Sequence, residues 1–273
     1  MTCLGGYIKK LLKYKIIFFI GLAFSGCSSL TVTNSIPEVE SPVYQGRKSF
    51  GFSFMVGPAK ELTLIDDPSA RPPDLTLKNL DISGKILARP AIHFYPLPLL
   101  SIACGIQNSS FIFLKAKINL LNGLMDDPPA GTIYAALNLE STYEQSKKSG
   151  VQKGLGGPTG YPWETKIENL TGTGGFSIGY QTRKKIVPFI GFNYQNIQTS
   201  GKIVQSPGVS DPGGTYDIQT RIGLTRVYAI GIDWKPKYGF FITPQINYFE
   251  FNWGGNEKKE LSGSIKIIYI PVQ

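Results

Sequence analysis

Few side chains in this chain are of a type and spacing that could do chemistry. His93 is the sole histidine, so a Ser-His-Asp arrangement has only one possible base. A histidine inside a filled interior, paired with a carboxylate, is the plainer expectation, and no enzymatic activity is expected. No Cys/His spacing resembles a zinc site. Asp66-Asp67 and Asp126-Asp127 are each followed by proline, which marks turns rather than calcium loops. The run Gly154-Leu155-Gly156-Gly157-Pro158 lacks the Lys-Ser/Thr ending of a phosphate-binding loop. No metal and no cofactor is expected. Tyr161 and Trp163, among Lys147, Lys148, Lys153 and Lys166 in a predicted loop over 147–169, mix rings with cations in a way that suits sugars or polyanions. The plainer alternative is an adaptable surface loop.

Cys27 is the other reactive candidate, and its setting gives it meaning. Lys9, Lys10, Lys13 and Lys15 form a positive start, and Ile16 to Phe24 form an apolar run. That run is too short for a spanning helix of about 20 residues and fits the middle of a secretory signal peptide. Phe24-Ser25-Gly26-Cys27 resembles the lipobox of bacterial lipoproteins. The resemblance implies cleavage after residue 26, a lipid on Cys27 and handling by the lipoprotein-sorting machinery. Loss of residues 1–26 would remove four lysines and no acid, lowering the formal charge from +9 to +5. No concentrated basic patch survives, so nucleic acid is not an expected partner. Cys3 leaves with the signal, Cys104 alone remains, and no disulfide framework is possible within the chain.

Residues 27–48 are polar, hold Pro37 and Pro42, and show no periodicity; they read as a lipidated flexible tether. From Ser49 onward the period is two, as in Phe50/Phe52/Phe54, Phe176/Ile178/Tyr180 and Ile230/Ile232/Trp234. Residues 49–273 therefore read as one all-β domain. Ten strands are predicted, near 49–57, 80–95, 98–107, 110–121, 131–146, 170–182, 186–199, 216–234, 239–252 and 261–271. Eight remain possible if the early strands merge. Short turns fall at 96–97, 123–130, 183–185 and 235–238. Longer connections are predicted at 58–79, 147–169, 200–215 and 253–260, and only the 107–110 turn breaks the alternation.

The polar faces carry Gly, Ser, Asn and Gln, as at Ser177, Gly179, Asn193 and Gln195, and charged residues are 17% of the chain. Small neutral groups suit a hydrated lumen better than a surface in bulk water. Rings gather near both strand ends, Phe94, Tyr180, Trp234, Phe240 and Tyr269 at one and Tyr143, Tyr194, Tyr216, Tyr248 and Trp253 at the other, as at two membrane interfaces. In this pattern the chain resembles bacterial outer-membrane β-barrel proteins over roughly 49–273. The resemblance implies an antiparallel up-and-down transmembrane barrel, outer-membrane lipid around it, help from the barrel-assembly machinery, and both ends of the domain on the short-turn, periplasmic side. An anchor in the inner leaflet of the outer membrane would follow. Omptin proteases and lipid-A-modifying enzymes share that architecture, but their histidine-dependent sites lie toward the outer rim or the lipid-facing surface, away from the expected place of His93.

On this reading Asp81, Lys85, Arg89, His93, Lys115, Lys117, Glu140, Glu144, Asp217, Arg221, Asp233 and Lys266 face the lumen. Groups of both signs in a small interior should pair, giving a filled structural lumen or, failing that, a narrow polar pore. The predicted function is a non-catalytic, surface-exposed, structural or binding lipoprotein of the outer membrane. The rival is a soluble, lipid-anchored barrel or sandwich carrying an apolar ligand. In that rival Ile190, Phe192 and Ile232 would line a cavity while Asn193 and Gln195 met water.

Overall fold

The computed structural model describes residues 30–43, 50–65, 82–97, 99–107, 111–122, 129–152, 161–182, 185–205, 214–237, 239–253 and 256–271. Ten antiparallel strands form the wall: β2 (Phe50–Ile65), β3 (Ile82–Leu97), β4 (Leu100–Gln107), β5 (Phe111–Leu121), β6 (Ile133–Gln152), β7 (Tyr161–Tyr180), β8 (Ile186–Gln205), β9 (Gly214–Lys237), β10 (Phe240–Trp253) and β11 (Asn256–Tyr269). Each pairs with its neighbour in sequence, and β11 pairs back onto β2. The sheet is thus a closed barrel, closed where Phe52–Val56 of β2 pair with Tyr269–Ile265 of β11.

The wall is apolar outside and polar inside. Ile190 and Ile230 are 61% and 67% exposed, whereas Asn193 and Gln195 are fully buried. Phe176, Ile178 and Ile232 also face outward. The soluble-carrier alternative needed the reverse, and the facing of β8 and β9 overturns it: Ile190 and Ile232 point outward while Asn193 and Gln195 point in. Along β7 the outward residues run Leu170, Gly172, Gly174, Phe176, Ile178 and Tyr180, and turn to Glu168, Lys166 and Glu164 above. At about 3.3 Å per residue and a tilt near 40°, that apolar stretch stands about 25 Å tall, the height of a hydrocarbon layer.

Three sequence expectations change. Strand runs into each of the predicted loops at 58–79, 147–169, 200–215 and 253–260: residues 58–65, 147–152, 161–169, 200–205, 214–215, 253 and 256–260 are strand. Ladders of β6 with β7 run on to Gln152↔Tyr161, those of β8 with β9 to Gln205↔Gly214, and those of β10 with β11 to Trp253↔Asn256. Above the apolar belt both faces of a strand can be polar, so alternation fades while the backbone ladder continues. Trp253 is not an interfacial ring but fully buried, inside the loop end with Phe249 and Phe251. The side chain of Tyr216 lies outside the described residues.

The third change is the largest. Residues 30–43 are not a free tether. Leu30–Ser35 form a short strand, β1, antiparallel to the far end of β2 from Leu30↔Ile65 to Ser35↔Ala59. The chain then enters the barrel, where Ile36, Glu38, Val39, Glu40 and Ser41 are buried. It travels from the loop end toward the short-turn end. Prolines 37 and 42 keep it extended and withhold two amide donors. Polar groups of the wall supply the pairing that a sheet would otherwise give.

Candidate functional site

Three layers fill the lumen. Tyr95, Phe241, Ile268 and Ile270 make an apolar cluster at the short-turn end. Phe249, Phe251, Trp253, Ile167 and Ile197 are buried toward the loop end. Between them lies a charged layer from β3, β5, β6, β9 and β11, crossed by the N-terminal segment. Strand alternation places these side chains: Arg89 and His93 share the inward face of β3 with Leu87 and Ala91, and Lys115, Lys117 and Asn119 share that of β5.

The segment is held along its length. Asn169 donates to Asn34, Gln195 to the Ser35 carbonyl at 3.3 Å, Asn193 to the Glu38 carbonyl at 2.6 Å, and Gln245 to the Val39 carbonyl at 2.8 Å. Glu40 takes Lys115 and Lys266, each at 2.7 Å. Lys115 also meets Glu140 at 2.9 Å, and Glu140 pairs in turn with Arg89, whose guanidinium lies 4.2 Å from the Phe113 ring centre. Ser41 donates to Asp233 at 2.7 Å. Lys117 donates to the carbonyls of Ser41 and Val43, and Asn119 to that of Pro42.

Charge explains why the segment belongs there. Among the described residues of this layer the wall brings four cations, Arg89, Lys115, Lys117 and Lys266, against two carboxylates, Glu140 and Asp233. Glu38 and Glu40 make it four against four. Buried ions without partners cost several kcal/mol each, on the order of 3–5 when one member of a pair is removed. The wall and the segment therefore need one another.

Every residue assigned to the lumen from sequence can now be placed, apart from three. Arg89, His93, Lys115, Lys117, Glu140, Asp233 and Lys266 are buried inside the barrel, and Glu144 lies above them. Lys85 is on the same strand face but beyond the enclosed part, 40% exposed and 3.1 Å from Glu61. Asp81 lies outside the described residues, as do the side chains of Asp217 and Arg221 on β9. Tyr161 and Trp163 belong to β7, not to a loop, because the hairpin ladder runs on to Gln152↔Tyr161; their side chains lie outside the described residues. Cys27 and the signal-like segment before it precede the first described residue.

Sequence reasoning missed Glu38, Glu40 and Ser41. Their stretch has no long alternation, and its prolines read as linker. A signal was present in Lys115 and Lys117, two cations on one inward face, which called for carboxylates beyond Glu140.

His93 has the Ser53 hydroxyl at 2.7 Å rather than the expected carboxylate, and its ring stacks on Tyr95. The free space beside His93, Ser53, Arg89 and Lys115 is about 10 Å3, room for roughly one water. A hydroxyl next to an imidazole is nucleophile-like geometry, and here both side chains are buried, Ser53 at 8% and His93 at 4% exposed.

No family model and no curated protein sequence matches the chain. Among solved structures it is similar to the outer membrane protease OmpT from Escherichia coli, at 9% identity and a TM-score of 0.36, covering 82% of this chain and 94% of that one. It is also similar to Ail, the attachment invasion locus protein of Yersinia pestis, at 10% identity, a TM-score of 0.30 and coverage of 81% and 98%. Neisserial surface protein A follows at 11%, 0.28, 81% and 97%. Likeness at this level transfers no residue role and no activity.

Proposed function

We propose that the protein is a non-catalytic lipoprotein of the bacterial outer membrane, a barrel whose lumen is closed by its own N-terminal segment and whose loop-end strands are displayed outside the cell. The observation that carries the reading is the pairing of an apolar belt about 25 Å tall with a polar interior filled by residues 33–43. Short turns mark the periplasmic side of such barrels, so the extended β6–β9 wall faces outward. Cys27 carries the lipid in this reading, and the lipoprotein-sorting and barrel-assembly machineries deliver and insert the chain. The role is structural or binding, exerted by the displayed wall.

Two measurements test it. Purified protein is expected to require detergent and to precipitate when detergent is withdrawn. In planar bilayers it is expected to conduct no steady current. A protein that stays monomeric in plain buffer would defeat the membrane reading, and stable ohmic conductance would defeat the closed lumen in favour of the pore.

A further inference from the structure

The seam that closes the barrel is also the place where the N-terminal segment comes in. On the edge of β2 that faces β11, only Phe52–Val56 pair with β11, as Tyr269–Ile265. From Ala59 to Ile65 that same edge is taken by β1. The upper part of β11, from Asn256 to Ser264, pairs with β10. It reaches β2 through an ion pair, Glu260 with Lys60 at 2.6 Å. Just below β1, the Ile36 amide donates to the Pro58 carbonyl at 3.1 Å and the chain turns into the lumen. The segment is thus laid in through a gap between the first and last wall strands, at the loop end.

Direction then decides where the N-terminus must be. Leu30 stands opposite Ile65, at the far end of β2 from Phe50. Along the membrane normal it is about 40 Å from the short-turn interface, given the rise and tilt of a barrel strand. Only Ser28 and Ser29 lie between Cys27 and Leu30, and the three residue steps from one to the other span at most about 11 Å. A lipid on Cys27 cannot reach the inner leaflet. The apolar wall ends near Pro58 and Ile86, which face each other across β2 and β3, so the edge of the hydrocarbon lies about 18 Å below Leu30. Three extended residues cover about 11 Å of it, and the thioether-linked glycerol, which rests at headgroup level above the hydrocarbon, covers the remainder.

We propose that the acylated N-terminus is on the cell surface, its acyl chains in the outer leaflet, with residues 33–43 leading back down through the barrel to β2. This replaces the periplasmic anchor expected from sequence and rests on the outer-membrane orientation proposed above. The short β2–β11 seam, five residue pairs long, leaves the upper edge of β2 to β1, so the segment enters at the seam and at the loop end.

The test uses the full-length protein in whole cells, in a Cys104→Ala background. Single cysteines are placed by Ser29→Cys, by Lys259→Cys at the exposed loop end, and by Thr182→Cys at an exposed short turn. Each is probed with a membrane-impermeant maleimide before and after the cells are opened, and heat-modifiable mobility confirms folding of each variant. Ser29→Cys and Lys259→Cys are expected to label as fully in intact cells as in opened ones, and Thr182→Cys only in opened ones. Mass spectrometry of the N-terminal peptide is expected to show acylated Cys27. If Lys259→Cys labels outside but Ser29→Cys only after opening, the surface N-terminus is wrong while the barrel orientation stands. If Lys259→Cys is itself hidden and Thr182→Cys labels in intact cells, the orientation fails. An unacylated Cys27 overturns the lipid placement.

Discussion

Lysine and glutamate meet in two places in this molecule with different consequences. In the lumen, Glu40 lies between Lys115 and Lys266, all three nearly inaccessible. On the outward face of β7 above the belt, Lys166 meets Glu168 at 2.7 Å with the side chains 46% and 42% exposed. The contact distance is the same. The hydrogen bond and the charge of Lys166 hold the Glu168 carboxyl below its ordinary pKa, but water already solvates both groups. In the lumen the protein supplies all the solvation, so each partner is needed to make the other tolerable. Geometry alone therefore does not rank ion pairs; the medium around them does.

The sharpest way to break the contrast is Glu40→Ala. It leaves Lys115 with Glu140 and the more distant Glu38, and deprives Lys266 of its close partner. A loss of about 3–5 kcal/mol is expected, read as a lower temperature for the folded-to-unfolded mobility shift. Stability equal to wild type would mean that the segment is not held by charge. A second variant puts the same charge on the other side of the wall. Ile230→Lys places a lysine at mid-belt on the exposed face of β9, where lipid offers no counterion, and should cost about 2–4 kcal/mol. If the lysine is accepted there without cost, the outward face meets water and not acyl chains.

The same contrast explains what the sequence disclosed. The belt was legible because one medium lies on each side of the wall, so residues such as Phe176, Ile178, Ile190 and Ile230 had to alternate with Ser177, Gly179, Gly191 and Gly231. All ten wall strands follow from that alternation. Where water lies on both sides the constraint lapses, and 147–152 and 161–169 look like loop although they continue the hairpin. Residues 33–43 failed for the opposite reason. They are enclosed on every side by the wall, largely by its polar groups, so no one face is obliged to be apolar, and enclosure of that kind leaves no periodic trace. Their partners, Asn193, Gln195, Gln245 and Lys266, are far away in sequence.

A milder variant tests whether the lumen is shaped for its segment. Where the chain passes β7 and β8 the wall presents glycine, and a Cβ on Gly191 would stand 2.3 Å from a methyl of Val39 and 2.7 Å from the Phe176 carbonyl. The carbonyl belongs to the paired strand and cannot retreat. Gly191→Ala should therefore cost about 1–3 kcal/mol as an overpacked site. Pairing it with Val39→Ala relieves the methyl contact but not the carbonyl one, so partial recovery is expected. No recovery at all would mean that the strain lies wholly in the sheet.

The smallest effect is expected at Lys166→Ala, and its smallness is the informative part. Exposed pairs gain little because ordering two long side chains offsets a weak, screened attraction. The unfolding temperature should be unchanged, at low and high salt alike, whereas Glu40→Ala should be destabilised at both. The comparison works because Glu168 keeps other partners: the Tyr143 hydroxyl at 3.3 Å and the Gln145 amide at 3.3 Å still donate to it. Removal of Glu40, by contrast, leaves Lys266 inside the charged layer with only the more distant Glu38 carboxylate, at 3.5 Å, among the described residues. A Lys166→Ala variant that melted as early as Glu40→Ala would place β7 above the belt in a drier setting than its exposure indicates, and the distinction between lumen and crown would fall.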